Sequence, residues 1–442
     1  MFTLAVLYLL VPAAIVLLAF SSWPMVLLSL LGLAAAAYAY RQQENLSGDE
    51  APNLSYYWPL MIVAAGAVWL SGVLPPFQPN GDWTKHYALF NTLRDNAWPP
   101  TIDIGQGPAT LRYSLGWYVM PALAAKILGK SFTGLAIFAW TGLGLFIVLR
   151  LAFRDLQRPS QLFSAGLIFI CFSGADVLGM WITGYEPGHW QHLEWWAGFA
   201  SLPSNVTSVF WTPQHAIPAW IGAMLFLRYP ERALAFGGPL AAAILLWSPF
   251  AAIGMAPVAL WAMWHSGWRH ALTTANYVAG PALVIPAILY LGEGTGDIPV
   301  GLSIGYPGFS WPVWGWFVFL EIAAIGAAIS ISRPSTTPLL LICGGFVIAL
   351  TLTRVGAFND LTMRGCLPAI GIFAALAAGT LIQTGYRRTL MVACFVAGLP
   401  TAGGEIMRGL VTPPFADPYD LTLQDVLLGQ ETLATQYLVP LR

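Results

Sequence analysis

Hydrophobic residues along this chain of 442 residues gather into long apolar runs separated by short polar segments. A run of about 17–25 apolar residues is typical of a helix that crosses a bilayer. The pattern therefore predicts an all-α fold, a polytopic transmembrane helix bundle with thirteen spans. The predicted spans cover residues 3–20, 23–40, 57–75, 132–150, 160–181, 213–228, 233–249, 251–265, 272–291, 313–331, 337–353, 366–385 and 388–402.

Basic residues give the predicted bundle a direction. Cytoplasmic loops are enriched in Lys and Arg, and thirteen spans with a cytoplasmic N-terminus place all the compact basic clusters on that side. The clusters are Arg150/Arg154/Arg158, Arg228/Arg232, Arg269/His270 and Arg387/Arg388. The apolar stretch 113–129 would break this parity if it crossed the bilayer, so we predict an interfacial helix there.

The same parity collects the long irregular segments on the non-cytoplasmic face. They are 76–131, 183–212, 293–312, 354–365 and a tail from about 403. Long loops often carry binding and catalytic residues, so we expect any chemistry on this face. We divide the chain into two N-terminal spans with a cytoplasmic loop (1–56), a core with the first outer loop (57–160), the remaining bundle (161–402) and the outer tail (403–442).

Composition agrees with the membrane prediction. Hydrophobic residues make up 57% of the chain and charged residues 9%, whereas soluble proteins carry about 25% charged residues. The net charge of −1 provides no basic field, so nucleic acid is not an expected partner. The four cysteines lie in apolar segments and are expected to be small buried hydrophobic residues.

The first outer loop contains a segment with helical periodicity. Its apolar stripe consists of Trp83, Tyr87, Phe90, Leu93 and Ala97. Spacings of three and four predict an amphipathic helix lying in the interface plane. Asp82, Lys85 and His86 lie one turn apart at its start. Asp82 is either a general base facing the membrane surface or the N-cap of the helix, with Lys85 and His86 extending to solvent.

A second motif follows in the same loop. It reads Leu111-Arg112-Tyr113-Ser114-Leu115-Gly116-Trp117-Tyr118, then Pro121-Ala122 and Ile127-Leu128-Gly129. With the acidic residue at the start of a juxtamembrane helix, this arrangement resembles the GT-C superfamily of membrane glycosyltransferases over roughly residues 57–160. The chain departs from that pattern in having two extra spans first, and in a lone Asp82 where some members have an acidic pair.

Three later segments are similar to a family of bacterial multi-pass membrane proteins of the same general type. They are Phe172–Gly179, His192–Trp196 with Phe210–Trp220, and Asn359–Arg364. The combined resemblance implies a polyprenyl-phosphate-linked sugar donor, a glycan, lipid or protein acceptor, and a periplasmic active face on a bacterial inner membrane. It implies Asp82 as the acid that activates the acceptor, and Arg364 or Arg112 as the group that holds the lipid phosphate.

The expected substrate-binding set combines these motifs with the polar groups of the outer loops. It consists of Lys85, His86, Arg112, Tyr113, Asp176, His192, Glu194, His215, Arg354, Asn359, Asp360 and Arg364. No cofactor is required for the implied chemistry. A divalent metal held by His189, His192 and Glu194 stays an alternative, although their spacing is not diagnostic.

Several of these residues also have a structural explanation. Loop 183–212 is either a lid that binds a sugar or phosphate, or an interfacial helix anchored by its tryptophans. Asp176, near the outer end of its span, is either functional, as intramembrane acids usually are, or a hydrogen-bonded structural group. Asp360 and Arg364 form either a salt bridge at i, i+4 or, through the planar guanidinium, a phosphate site.

The working hypothesis from the sequence is glycosyl transfer at the outer leaflet. Two alternatives from other classes remain open. One is a multi-pass transporter or a flippase for lipids or glycolipids, with Asp176 and the outer arginines on its path. The other is a non-catalytic subunit of an envelope polysaccharide machine.

Overall fold

Long apolar helices dominate the structure. The computed structural model describes residues 1–44, 54–105, 107–188, 192–293, 298–356, 358–411, 418–428, 434–435 and 437–440. Within these residues, seven helices are long and apolar enough to cross a membrane: Phe2–Phe20, Trp23–Gln42, Lys130–Ala152, Ala275–Gly292, Trp311–Ser332, Pro334–Thr351 and Tyr386–Val411. They coincide with seven of the predicted spans, and the prediction of a helical membrane protein is confirmed.

The α-helices are numbered in chain order. They run over Phe2–Phe20 (α1), Trp23–Glu44 (α2), Trp58–Val68 (α3), Trp83–Asp95 (α4), Val119–Leu128 (α5), Thr133–Ala152 (α6), Pro159–Ile170 (α7), Asp176–Thr183 (α8), Asn205–Trp211 (α9), Pro213–Arg228 (α10), Pro230–Ala235 (α11), Gly237–Trp247 (α12), Pro249–Gly254 (α13), Ala256–Ser266 (α14), Gly280–Gly292 (α15), Trp311–Val318 (α16), Ala324–Ser332 (α17), Thr337–Thr351 (α18), Asp360–Gly365 (α19), Leu367–Leu381 (α20), Thr389–Val411 (α21) and Leu423–Leu427 (α22).

The remaining six predicted spans correspond to shorter or interrupted helices. Among them, α10 and α20 pack against each other and form the centre of the bundle, buried on nearly all sides. The peripheral helices instead expose large apolar side chains. Leu31 on α2, Ile288 on α15 and Val396 on α21 each leave more than half of their surface exposed. Apolar surface of this kind is suited to contact with lipid chains. The total number of thirteen membrane crossings stays a prediction.

The predicted span 160–181 is not one helix. The helix α7 ends at Ile170 and α8 begins at Asp176. Groups from elsewhere in the chain form hydrogen bonds with the backbone at this break. The Asn205 side chain donates to the Phe169 carbonyl at 2.7 Å, and the Ala175 amide donates to the Leu320 carbonyl at 3.4 Å. An interrupted helix at membrane depth is stable where such partners exist, which sequence hydropathy cannot show.

Two small antiparallel sheets depart from the all-α prediction. Strands β1 (Thr101–Asp103), β2 (Pro108–Leu111) and β5 (Leu438–Pro440) form one sheet, in the order β1-β2-β5. Strands β3 (Val300–Leu302) and β4 (Thr353–Val355) form the other. Each sheet joins segments that are distant in sequence, and so fastens the long loops to one another.

The segments predicted to lie on the outer face do meet at one end of the bundle. The sheet β1-β2-β5 joins the first outer loop to the tail. The strand pair β3-β4 joins segment 293–312 to the turn before α19. Arg112 reaches Glu293 at 2.9 Å, and the Asn359 side chain reaches the Phe199 carbonyl at 3.4 Å. All five segments are therefore connected to one another through these contacts.

Acidic residues join three of the four basic clusters. Arg228 pairs with Asp155 at 2.8 Å, next to Arg154. His270 lies 4.0 Å from Glu231, which is next to Arg232. The side of the membrane on which these clusters lie stays a prediction.

The predicted boundary at 403 falls inside a helix. The helix α21 continues without interruption from Thr389 to Val411. The described part of the tail then packs on the first outer loop: the Asn91 side chain donates to the carbonyls of Pro418 and Leu421, each at 2.8 Å. The last part of the chain therefore completes the outer surface and is not a separate unit.

Candidate functional site

The helix α4 follows Asp82, the residue expected to be catalytic, and carries Lys85 and His86. Its predicted stripe is helical as far as Asp95, so Ala97 lies beyond it. The helix is buried on its polar side as well, at His86, Asn91 and Arg94, and its place in the interface plane stays a prediction. The hydrogen bonds that these polar groups make inside the protein explain why a polar face can be enclosed.

Asp82 is not a capping residue. It precedes α4 in a helical conformation, and its side chain accepts no hydrogen bond from the first turn. Its carboxylate instead pairs with Lys85 at 2.9 Å. Burial alone would raise the pKa of Asp82, but the positive charge of Lys85, with smaller contributions from His86 and Arg364, lowers it below its ordinary value. Asp82 is therefore an ionised carboxylate at neutral pH.

His86 is enclosed and does not extend to solvent. Its Nε2 lies 2.9 Å from the Trp211 carbonyl, and its Nδ1 lies 2.8 Å from the Tyr118 hydroxyl. A carbonyl can only accept, so Nε2 carries the proton and Nδ1 accepts from Tyr118. Burial lowers the pKa of His86 to about 4, although the charge of Asp82 opposes the shift. His86 is thus a neutral side chain that joins α4 to the end of α9.

The turn before α19 brings a second charged pair to the same region. Arg364 pairs with Asp360 at 2.9 Å, so the structural alternative for these two residues is present. Burial would lower the pKa of Arg364, but the negative charge of Asp360, then Tyr113, Tyr437 and Asp82, raises it above its ordinary value.

Asn359 has a structural role in this turn. It adopts a left-handed conformation with φ of 58°, which Asn tolerates better than most residues. Its side chain donates to the Thr353 carbonyl at 2.9 Å and accepts from the Val355 amide at 3.3 Å. Asn359 therefore fixes the backbone that presents Asp360 and Arg364.

Asp82, Lys85 and Arg364 lie near one another and stay partly exposed, and we call the space between them the Asp82–Arg364 recess. Arg364 and Asp82 each influence the titration of the other. Yet the side chains of Asp82 and Lys85 remain 34% and 33% exposed, and that of Arg364 remains 29% exposed. Tyr113 and Tyr437 stand beside them with ring centroids 4.6 Å apart. Charged groups enclosed by protein yet open to water are typical of a binding site.

The other two outer arginines have partners outside this recess. Arg112 pairs with Glu293 at 2.9 Å and lies over the Tyr290 ring. The guanidinium of Arg354 lies 3.5 Å from the centre of the Tyr306 ring. Of the two arginines considered for the phosphate, Arg364 is therefore the one that lies near Asp82.

A second buried polar cluster lies beside the recess, and we call it the His192 cluster. Its members are His192, Glu194, Glu405 and Arg408. His192 Nδ1 lies 3.1 Å from Glu405 Oε1 and 3.7 Å from Glu194 Oε2, and Arg408 lies 3.0 Å from Glu405 Oε1. Burial would lower the pKa of His192, but its hydrogen bond to Glu405 and the charges of both glutamates raise it. His189 lies outside the described residues.

Trp211 connects the cluster to the recess. Its indole N–H donates to Glu405 Oε2 at 2.8 Å, while its carbonyl accepts from His86. Its ring also packs against His192, with centroids 4.3 Å apart. A displacement of Trp211 would therefore change the contacts of Glu405 and His192 in the cluster and of His86 beside the recess.

Asp176 lies deeper, at the break between α7 and α8. Its Oδ2 accepts from the hydroxyls of Ser173 at 3.0 Å and Thr401 at 2.8 Å. Glu321, on a π-helical turn between α16 and α17, accepts from the Trp196 indole at 3.3 Å. Asp176 and Glu321 interact electrostatically. Asp176 is thus hydrogen-bonded, as its structural alternative expects, and it also belongs to a group of buried acids.

His215 lies beside the Asp82–Arg364 recess, close enough to Arg364, His86 and Lys85 to interact with them electrostatically. It lies on the central helix α10, is almost fully buried, and its Nδ1 is 2.8 Å from the hydroxyl of Ser248. Ser248 caps α13. This contact indicates a role in packing between α10 and α13.

Four residues of these clusters were not expected from the sequence. Glu405 and Arg408 fall in the segment predicted as a tail, Tyr437 is brought in by β5, and Glu321 lies inside a predicted span. An acidic residue within an apolar span indicates a functional position, and Glu321 could have been identified in this way. The other three carry no such signal, because only the packing of the tail and α21 places them here.

Comparison of the chain with models of known families, with curated proteins and with solved structures found no match.

Proposed function

We propose that this protein is a membrane glycosyltransferase that moves a sugar from a polyprenyl-phosphate donor to a cell-envelope acceptor. The reaction takes place in the Asp82–Arg364 recess, at the non-cytoplasmic face of a bacterial inner membrane, with the N-terminus in the cytoplasm. The single observation that supports the proposal most is the juxtaposition of an ionised carboxylate and an arginine from distant parts of the chain in a water-accessible recess.

Asp82 is the general base in this proposal. It takes the proton from an acceptor hydroxyl while that oxygen attacks the anomeric carbon. The bond between the anomeric carbon and the phosphate oxygen breaks, and its electron pair leaves with the lipid phosphate. The leaving group is already a stable anion, so no general acid is needed. A single displacement of this kind inverts the anomeric configuration.

Arg364 stabilises the phosphate in the transition state. Its planar fork can bind phosphate oxygens through two N–H groups. Asp360 holds the guanidinium at 2.9 Å, while the Arg364 side chain remains 29% exposed and so can still meet a ligand. Lys85 lies next to Asp82 and supplies a second positive charge for the negative charge that develops.

His86 is excluded as the base by its hydrogen bonds. Both ring nitrogens are engaged, one as donor and one as acceptor. With its pKa lowered to about 4 by burial, His86 stays neutral during the reaction. Its role is to position the start of α4, and hence Asp82.

Replacement of Asp82 by Asn tests the assignment. Asn keeps the size of the side chain but cannot accept the proton, so transfer should fall by about 10²–10⁴-fold, as expected for loss of a carboxylate base. Radiolabelled polyprenyl-phosphate sugar and membranes carrying the purified protein provide the assay. Asp95→Asn is the matched control, because Asp95 lies on the same helix but is 51% exposed and pairs only with its neighbour Arg94.

Full turnover by a folded Asp82→Asn variant would overturn the role of Asp82. It would also favour the alternative of a non-catalytic subunit of an envelope polysaccharide machine, since such a subunit has no need for a base at this position.

A transporter or a flippase for lipids or glycolipids is the second candidate function. The observation in its favour is the pair of buried acids, Asp176 and Glu321, at an interrupted helix and a π-helical turn. Interrupted helices and intramembrane acids are common at transport sites. A transporter needs access from both faces, however, and Asp176 and Glu321 are both almost fully buried.

A further inference from the structure

The His192 cluster has the composition of a metal site. His192 Nδ1, one oxygen of Glu194 and one oxygen of Glu405 all lie within 4.8 Å of one another. All three residues are buried. Imidazole and carboxylate are a common ligand combination for zinc, which takes three protein ligands and leaves a fourth position for water.

The distances fit an ion of this kind. Two ligand atoms at Zn–N and Zn–O distances of about 2.0–2.2 Å in a tetrahedron are about 3.4 Å apart. The two separations that involve His192 Nδ1 are 3.1 Å to Glu405 and 3.7 Å to Glu194. Small side-chain shifts would therefore bring the three atoms to one centre.

One ligand atom has no hydrogen-bond partner among the residues that the structure describes. Glu194 is 2% exposed. Its Oε1 accepts from the Ser204 amide and the Thr207 hydroxyl. Its Oε2 accepts no hydrogen bond from any described residue and lies on the side of His192 Nδ1. A buried carboxylate oxygen without a donor is costly, and a cation bound at that oxygen removes the cost.

We propose that His192, Glu194 and Glu405 bind one divalent transition-metal ion, with zinc the best match to the ligand set. The ion joins loop 183–212 to α21. It thereby fixes Trp211, which contacts both His192 and Glu405 and whose carbonyl holds His86. The ion positions these side chains and takes no part in the proposed transfer, so its test requires no donor sugar.

Metal content of the purified full-length protein in detergent provides the test. The protein is stripped with EDTA, dialysed against zinc chloride, freed of excess metal and subjected to elemental analysis. The expected result is about one zinc per chain and a higher thermal midpoint with zinc than with EDTA. In Glu194→Gln, zinc affinity should fall at least about tenfold.

The matched control is Glu186→Gln, since Glu186 lies in the same loop but is exposed. It should bind zinc as the wild type does. If Glu194→Gln does not fold, His192→Gln is measured in the same way. A wild-type protein that retains no zinc after dialysis would overturn the proposal. Unchanged zinc binding in the folded Glu194→Gln or His192→Gln variant would do the same.

Discussion

His86 offers the sharpest test of how the recess is built. The residue is 3% exposed and makes two hydrogen bonds, from Nε2 to the Trp211 carbonyl and from the Tyr118 hydroxyl to Nδ1. Replacement by Phe retains an aromatic ring but removes both. The Trp211 carbonyl and the Tyr118 hydroxyl would then be buried without partners.

The size of the effect follows from these two groups. Each unsatisfied buried group lowers stability by about 1–3 kcal/mol, so His86→Phe should reduce the free energy of unfolding by about 2–6 kcal/mol. Adding Tyr118→Phe to this variant removes one of the unpaired groups. The double variant should therefore recover about 1–3 kcal/mol relative to His86→Phe alone, which makes the two substitutions non-additive.

Denaturant or thermal unfolding in detergent, followed by tryptophan fluorescence, measures the four proteins of this cycle. Transfer activity is measured in parallel and should fall with His86→Phe, because the start of α4 loses its anchor. A destabilisation below about 1 kcal/mol together with additive effects of the two substitutions would refute the hydrogen-bond geometry assigned to His86.

Two further predictions concern pH and the backbone. Burial lowers the folded-state pKa of His86 to about 4 from an ordinary value near 6.5. Between these pH values the unfolded chain therefore binds more protons than the folded chain. The contribution of neutral His86 to the free energy of unfolding is full above about pH 6.5 and is lost as the pH falls towards 4. The loss should reach about 3 kcal/mol, and unfolding of wild type and His86→Phe at several pH values should show it only in the wild type. Gly72→Ala should destabilise the entry to the first outer loop by more than about 2 kcal/mol, because Gly72 has φ of 87° and an added Cβ would lie 2.2 Å from the Gln78 carbonyl carbon. Gly66→Ala, in the preceding helix and with open space around its position, is the control in the same thermal-unfolding measurement, and an equal effect of the two substitutions would contradict the steric argument.

Much of the helical framework could be predicted from the sequence. Apolar runs located the long helices, because crossing a bilayer requires a minimum length of apolar residues. Basic clusters assigned an orientation to the bundle, and that orientation stays a prediction. The short helices of the centre were harder to delimit, because α12 and α13 meet at Trp247–Pro249 within one continuous apolar run.

The site could be predicted only in part. Asp82 and Arg364 are visible as charged residues in outer loops, where they are unusual. Their approach depends on the folding of α4 and α19, which local sequence does not encode. Nothing in the sequence indicated that His86 is buried, because its hydrogen-bond partners are a backbone carbonyl and a hydroxyl that are distant in sequence. Glu405 was assigned to a tail that begins at about residue 403, yet α21 continues through this residue.

The central claim is that the Asp82–Arg364 recess holds a polyprenyl phosphate for transfer. The most direct measurement is a structure of the full-length protein in lipid nanodiscs with a polyprenyl phosphate added. The account predicts the phosphate within hydrogen-bonding distance of the Arg364 guanidinium, with Asp82 facing the position of the anomeric carbon. A phosphate bound elsewhere, or a continuous polar path from the recess to the basic end of the bundle, would contradict it, and the second result would favour transport.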